Sequence, residues 1–159
     1  MEKIKLRPFI DNDIKIIGKW LKKDYIIKWY HDSDAWIKEL EQRNNEFSWI
    51  KHFIVEEDYV PIGFCQYYDC YNSKDIEDWH KTTKPNNSYS IDYLIGEEKY
   101  LKKGYGSLIV KKLTNIIIKH ENLKEIIVKP EEENIASIKS LISNGYKYDK
   151  NREYYYKNI

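Results

Sequence analysis

Apolar positions recur along this chain with two periods. Alternation, together with dense β-branched and aromatic runs, predicts strands over residues 3–9, 50–56, 60–68, 89–95, 125–128, 146–150 and 153–157. The first is built around Ile4 and Leu6 and ended by Pro8. Helical spacing places Ile14, Ile17 and Leu21 at i, i+3 and i+7 behind a cap at Asp11 or Asn12. Further helices are expected over 33–42 through Trp36, Ile37 and Leu40, from Gly104 to about 120, and from Asn134 to about 144, stopped by Gly145. A tight polar turn at Glu57 and Asp58 makes a hairpin of the second and third strands. Residues 25–31 form an aromatic connection without clear period, and 69–88 a long polar, acidic loop of the kind that is usually functional or disordered. Strands and helices in this order indicate an α/β (α+β) sheet protein with hairpins as well as crossovers. With no repeat, low-complexity tract or Pro/Gly/Ser linker, one domain spanning 1–159 is expected.

Composition narrows the class. At 159 residues, 42% hydrophobic and 33% charged, the chain can bury a real core and is not intrinsically disordered. Lys and Arg total 27 against 26 Asp and Glu, without the basic excess of a nucleic-acid binder. Apolar runs such as Ile116 to Ile118 fall far short of the roughly 20 residues a membrane span needs. Charges at Glu2, Lys3 and Lys5 occupy the place of a signal peptide's apolar stretch, so a cytoplasmic location is expected. Cys65 and Cys70 are expected on opposite faces, as reduced thiols. The four His show no metal spacing with them, and no Gly-x-Ser-x-Gly elbow is present. The 15 Tyr, 5 Trp and 4 Phe exceed what a small core hides, so some rings are expected to line a cavity.

The most informative stretch follows the strand at 89–95. Gly104-Tyr105-Gly106 opens a helix, aiming backbone N–H groups and the positive end of the helix dipole at one spot. Lys102 and Lys103 add charge, and 99–112 holds five Lys and no acid. This pattern suits a pyrophosphate; a helix start with Gly for geometry and Lys facing solvent is the plainer alternative. A dinucleotide loop would need Gly at Ile109, and a Walker loop would need Gly-Lys-Ser/Thr, and neither is present. The stretch resembles motif A of the GNAT acyltransferases, Arg/Gln-x-x-Gly-x-Gly/Ala, with Leu101 at the Arg/Gln position. The resemblance extends to Ile4-Lys5-Leu6-Arg7-Pro8, Pro61-Ile62-Gly63-Phe64, the helix at Asn134 and Ile138, and Gly145-Tyr146. Within that superfamily the chain looks most like the aminoglycoside 6'-N-acetyltransferases, through Trp20-Leu21, Trp29-Tyr30, Ile62 to Tyr68 and Ile91 to Gly96. These commonly lack the Arg/Gln at the Leu101 position as well.

The resemblance implies a mostly antiparallel central sheet flanked by helices, splayed between the strand at 89–95 and the strand at 125–128. It implies acetyl-CoA as co-substrate and no metal. The pantetheine arm would pair with backbone at Tyr93, Leu94 and Ile95, where an N–H polarises the thioester oxygen. The pyrophosphate would sit on Leu101, Lys102, Lys103, Gly104, Tyr105, Gly106 and Ser107. Asn134 and Ser137 would flank the cofactor, and Asn134 also suits a helix cap.

Asp92 is the expected catalytic residue, because Asp is depleted in strands and this one lies between Ile91 and Tyr93, on the face of Leu94. By resemblance it binds the acceptor amine and takes up its proton. A carboxylate of reference pKa about 4 is a weak base for an ammonium, so orienting the amine and relaying its proton through water is the expected role. A salt bridge to a neighbouring Lys is the plain alternative. The loop carries Asp69, Asp75, Glu77 and Asp78 against Lys74, beside Tyr71 and Trp79, a mixture suited to a cationic sugar. Trp29 and Tyr30, followed by Asp32 and Asp34, would close the cleft from the other side; a solvated loop with Trp79 as an anchor is the alternative. Two departures bear on mechanism: Leu141 stands where many GNATs carry an acidic Tyr, and Lys129 where the aminoglycoside enzymes tend to carry an acid.

The resulting expectation is direct acetyl transfer, in a ternary complex, to a primary amine of a cationic small molecule, an aminoglycoside 6'-amine first, with the antibiotic resistance that entails. The alternatives are a polyamine, a streptothricin-like compound or a protein N-terminus as acceptor, or a GNAT-fold protein that binds acyl-CoA or a drug without turnover. No nucleic-acid or membrane partner is expected, and monomer or homodimer stays open.

Overall fold

In the computed structural model, which describes residues 3–159, seven strands form one sheet. Met1 and Glu2, part of the charged start noted above, lie outside the described residues. The strands are β1 Lys5–Pro8, β2 Ile50–Glu57, β3 Val60–Asp69, β4 Ser88–Ile95, β5 Glu125–Val128, β6 Lys147–Asp149 and β7 Tyr154–Asn158. Their order is β1-β2-β3-β4-β5-β7-β6, antiparallel everywhere except between β4 and β5. That one parallel pair requires a crossover, and α5 (Tyr105–His120) provides it. The other helices are α1 Ile14–Trp20, α2 Asp24–Ile27, α3 Ser33–Glu41, α4 Cys70–Ser73 and α6 Ile135–Ser143.

The period-two pattern sorts side chains onto two faces. Ile54, Phe64 and Leu94 stand in register across β2, β3 and β4, and pack under α1 to α3 with Phe9, Ile17, Trp20, Leu21, Ile26 and Leu40. On the opposite face Val55, Ile62, Cys65 and Ile91 meet Ile109, Val110, Leu113 and Ile117 of α5 and Leu141 of α6. Each such aliphatic side chain contributes about 1.5–3 kcal/mol by leaving water. A third cluster, Ile50, Tyr68, Cys70, Ile127 and Tyr154, closes one end of the sheet beneath Trp49 and Trp79.

Three local departures from the sequence reading have identifiable causes. The hairpin turn is Asp58-Tyr59, with φ of +49° and +65°, because β2 continues to Glu57 after a register shift at Val55/Glu56. The aromatic connection contains the short helix α2. In place of the cap expected at Asp11 or Asn12, Asp11–Asp13 form a 3-10 turn ahead of α1, and Asp13 is buried and held by Arg7 through two bonds of 2.8 Å, while Arg7 Nε reaches Glu56 at 2.8 Å. Burial acts the other way, yet this pairing holds the Asp13 carboxyl below its ordinary value. Cys65 and Cys70 are both free and buried, and burial pushes both thiols up.

Candidate active site

The site begins where two parallel strands part. β4 and β5 are paired only at Ser88↔Glu125 and Tyr89↔Ile126, so from residue 90 onward they diverge. Gly96 N–H donates to the Ile62 carbonyl at 2.7 Å, which turns the backbone of even-numbered β4 residues toward β3 and that of Tyr93 and Ile95 toward the split. Leu94 is turned the other way. Its backbone pairs with Phe64 and its side chain is buried under the N-terminal helices, so of the three residues expected to present backbone, only Tyr93 and Ile95 do so.

At the far end of β4 the chain makes a turn at Glu98–Tyr100 and enters α5. Lys102 and Gly104 both have positive φ, +60° and +86°, and no side chain caps the helix. The first turn of this sixteen-residue helix therefore offers N–H groups without intrahelical partners, and a Cβ on Gly104 would have nothing within 4 Å. The exposed Lys102 and Lys103 stand beside it, with the half-buried Leu101 before them. Gly106 has a different role, since a Cβ there would lie 2.8 Å from Ser140 Oγ and 3.7 Å from the Tyr93 ring, so glycine permits α5 to approach α6 closely. Tyr105 is buried with its hydroxyl on Glu57 at 2.6 Å, and Ser107 is bound to Ser143 of α6 and to Asn144 at its C-terminal cap, so these two can offer only backbone to a ligand.

Across the split, Asn134 caps α6 by accepting from Ser137 N–H at 3.2 Å, and Ser137 Oγ meets the Tyr93 hydroxyl at 3.0 Å. Leu141, on the same helix, is fully buried in the core.

Asp92 and Tyr93, adjacent on β4, project from opposite faces of the sheet. Asp92 is half-buried on the α1–α3 side, where Gln66 Nε2 donates to its Oδ2 at 2.9 Å. Burial, opposed by that bond and reinforced by repulsion from Glu77 and Glu39, pushes its carboxyl up to about 7. No Lys or Arg pairs with Asp92 among the described residues, which disposes of the salt-bridge alternative. Glu77 accepts from the Tyr68 hydroxyl and from Trp79 Nε1, each at 3.0 Å. Glu77 Oε1 and Gln66 Oε1 are buried and accept no hydrogen bond among the described residues, with His80 Nε2 3.5 Å from the former. Buried carboxylate and amide oxygens with spare acceptor capacity favour a ligand carrying N–H donors and positive charge.

The acidic loop has an inward and an exposed part. Asp69 staples its two ends, accepting from Tyr71 N–H at 3.0 Å and Asn86 N–H at 2.8 Å, and Glu77 faces inward, whereas Asp75 and Asp78 are exposed. Trp79 packs edge-on against Tyr154 and His80. Tyr71 and Trp29 carry Lys74 and Lys28 over their rings. Tyr30 stacks edge-on with Trp36 and donates its hydroxyl to the Tyr93 carbonyl, and His31, the next residue, meets Glu131 beyond β5 at 2.7 Å. Consecutive residues thus bond to both lips of the split. Asp32 caps α3. Sequence reasoning missed Glu39, Gln66 and Tyr25, the last two bonding 26 and 70 residues away; a polar Gln amid apolar β3 was the one available signal.

Among the described residues, no helix is long and apolar enough to cross a membrane, and no group of three or more His, Cys, Asp and Glu is placed to hold a metal ion. Aminoglycoside N(6')-acetyltransferase type 1 of Klebsiella pneumoniae is 21% identical over 156 residues, covering 91% of this chain and 74% of that protein. Two solved structures share the fold. AAC(6')-Ib in complex with Parmomycin and AcetylCoA has a TM-score of 0.84 at 21% identity, covering 99% of this chain and 94% of that one. AAC(6')-Ib with coenzyme A and kanamycin has a TM-score of 0.82 at 20% identity, covering 98% and 94%. The family model described as an acetyltransferase (GNAT) domain matches residues 10–154, and the chain therefore belongs to the GNAT acetyltransferase family.

Proposed function

We propose that the chain works as one acetyltransferase domain, moving an acetyl group from acetyl-CoA directly to a primary amine of a cationic small molecule, with the 6'-amine of an aminoglycoside as the leading acceptor. The observation that carries this reading is the juxtaposition on β4. Tyr93 and Ile95 turn backbone N–H groups into a split that leads from the anion-ready start of α5, and Asp92 sits one residue away on the opposite face. The residues fit acetyl-CoA on three counts: open space at Gly104, unpartnered N–H groups flanked by Lys102 and Lys103, and a strand edge that β5 has left. Acetyl-CoA supplies the activated acyl group.

The amine must arrive as an ammonium and attack as a neutral amine, with formation of N–C, loss of C–S and release of one proton. A carboxyl titrating near 7 holds that proton far better than an ordinary aspartate, while its charge still orients the ammonium beforehand. The spare oxygens of Glu77 and Gln66, with Glu39 nearby, provide for further ammonium groups on the same acceptor. Release of free thiol from acetyl-CoA across aminoglycosides, polyamines and peptides tests the reading, and turnover confined to peptides would overturn the acceptor assignment. Leu141 favours a second reading, a binding protein without turnover, because its position is sealed in the core. Coenzyme A binding with no turnover on any acceptor would establish that one.

A further inference from the structure

The free edge of β4 is not bare. Tyr25 donates its hydroxyl to the Ile95 carbonyl at 3.0 Å, and Tyr30 donates to the Tyr93 carbonyl. These two residues turn their backbone towards the split, and both hydroxyls reach them from α2 and the turn after it. Lys23 extends the same seam, its Nζ on the Gly96 carbonyl at 2.7 Å.

The consequence follows from hydrogen-bond counting. A strand edge ordinarily alternates N–H donors with C=O acceptors. Here the carbonyls of Tyr93 and Ile95 are occupied, and the phenol on each has committed its one proton to that bond but keeps oxygen lone pairs. Toward the split, β4 therefore presents two backbone N–H donors and two phenolic oxygens that can only accept. Burial holds both phenols above their ordinary titration range, so they stay protonated and keep this polarity. The edge retains its donor and acceptor alternation, moved outward by one hydrogen bond.

An extended arm with secondary amides is the complement of such an edge, its carbonyls accepting from Tyr93 and Ile95 and its N–H groups donating to the phenols. We propose that the hydroxyls of Tyr25 and Tyr30 are the acceptors for the amide N–H groups of the acyl donor's pantetheine arm, so that Tyr30 serves the donor side of the site rather than the amine acceptor. The proposal rests on the reading that the split takes acetyl-CoA.

Calorimetric titration of the full chain with coenzyme A and with adenosine 3',5'-bisphosphate, a nucleotide probe without the arm, tests it. Tyr25→Phe and Tyr30→Phe keep the rings and their packing while removing the hydroxyls. Each is expected to weaken coenzyme A about five- to tenfold, the value of one net hydrogen bond, and to leave the bisphosphate within about twofold. Equal weakening of both probes would show that the hydroxyls merely support the fold, and unchanged coenzyme A affinity would show that the arm does not use them; either overturns the proposal. Wild-type chain that binds neither probe would instead overturn the acetyl-CoA reading itself. Should a variant fail to fold, the wild type decides: with tyrosine labelled at 13Cζ, the resonances of Tyr25 and Tyr30 are expected to shift with coenzyme A and not with the bisphosphate, and shifts absent with coenzyme A refute the assignment.

Discussion

Asp92→Asn separates what Asp92 costs the fold from what it contributes to the reaction. The carboxyl titrates at about 7 in the fold against 3.8 in the ordinary case, chiefly because burial disfavours its charge. Between those values the native state binds more protons than the unfolded one, so stability falls as pH rises and the loss is complete above 7. At about 1.36 kcal/mol per unit, the difference corresponds to an upper bound of about 4 kcal/mol. The amide keeps an oxygen for Gln66 Nε2. For a chain of this length about 1 kcal/mol moves Tm by about 2–4 °C. The Asp92→Asn variant is therefore expected to melt at least about 4 °C higher than wild type at pH 8, with the gap narrowing towards pH 4, where the native carboxyl of the wild type is protonated. Acetylation is expected to fall at least about tenfold, and by about 10²–10⁴-fold if Asp92 is the sole base, with coenzyme A affinity nearly unchanged. In wild type the rate should climb through a midpoint near pH 7 as the carboxyl ionises. Thermal melts at the two pH values, thiol release and calorimetry supply the assays. A variant destabilised equally at pH 4 and pH 8, or one that loses coenzyme A binding, would make Asp92 a structural residue and refute the reasoning.

Other substitutions probe the remaining parts. Glu77→Gln retains the bonds from Tyr68 and Trp79 but removes the inward charge, and is expected to raise KM for a multiply charged acceptor at least about threefold, with coenzyme A affinity unaltered; an equal rise for a mono-amine would count against a pocket for a second ammonium. Leu141→Tyr, which restores a phenol at the position noted in related sequences, is expected to overpack a fully buried site, costing about 1–3 kcal/mol and yielding no gain in kcat; a faster enzyme would show that the position opens to the cleft. Gly104→Ala forces a Cβ onto a φ of +86°, costing about 1–2 kcal/mol, and should weaken coenzyme A as well as stability because its methyl group enters the space above the helix start. A lowered Tm with unchanged affinity would place the anion elsewhere.

The elements that depend on neighbours in sequence were legible without the fold. Turn chemistry and periodicity act within about ten residues, and so the strands, the long helix behind Gly104, the cap at Asn134 and the odd Asp within β4 could be read directly. Parting of β4 from β5 came from resemblance, since nothing in either strand's pattern records how many residues pair. What only the tertiary structure decided were partnerships across long separations. Leu94 and its neighbours were read alike, but the β3 register hides one backbone and exposes the two beside it. Asp69 and Glu77 were read together with Asp75 and Asp78 as one acidic pole, but only the fold, by bringing the ends of the loop together and Tyr68 and Trp79 within reach, sets them apart. The surplus of tyrosines is explained in the same way: Tyr67 and Tyr89 reach Glu121, Tyr105 reaches Glu57 and Tyr146 reaches Thr114, so that rings complete the core while hydroxyls find polar partners that composition alone could not supply. Tyr25 and Tyr30 belong to this set. Their partners lie 70 and 63 residues away, and a hydrogen bond of that span leaves no trace in local sequence, because the only thing that brings its two ends together is the packing of α2 against the edge of β4.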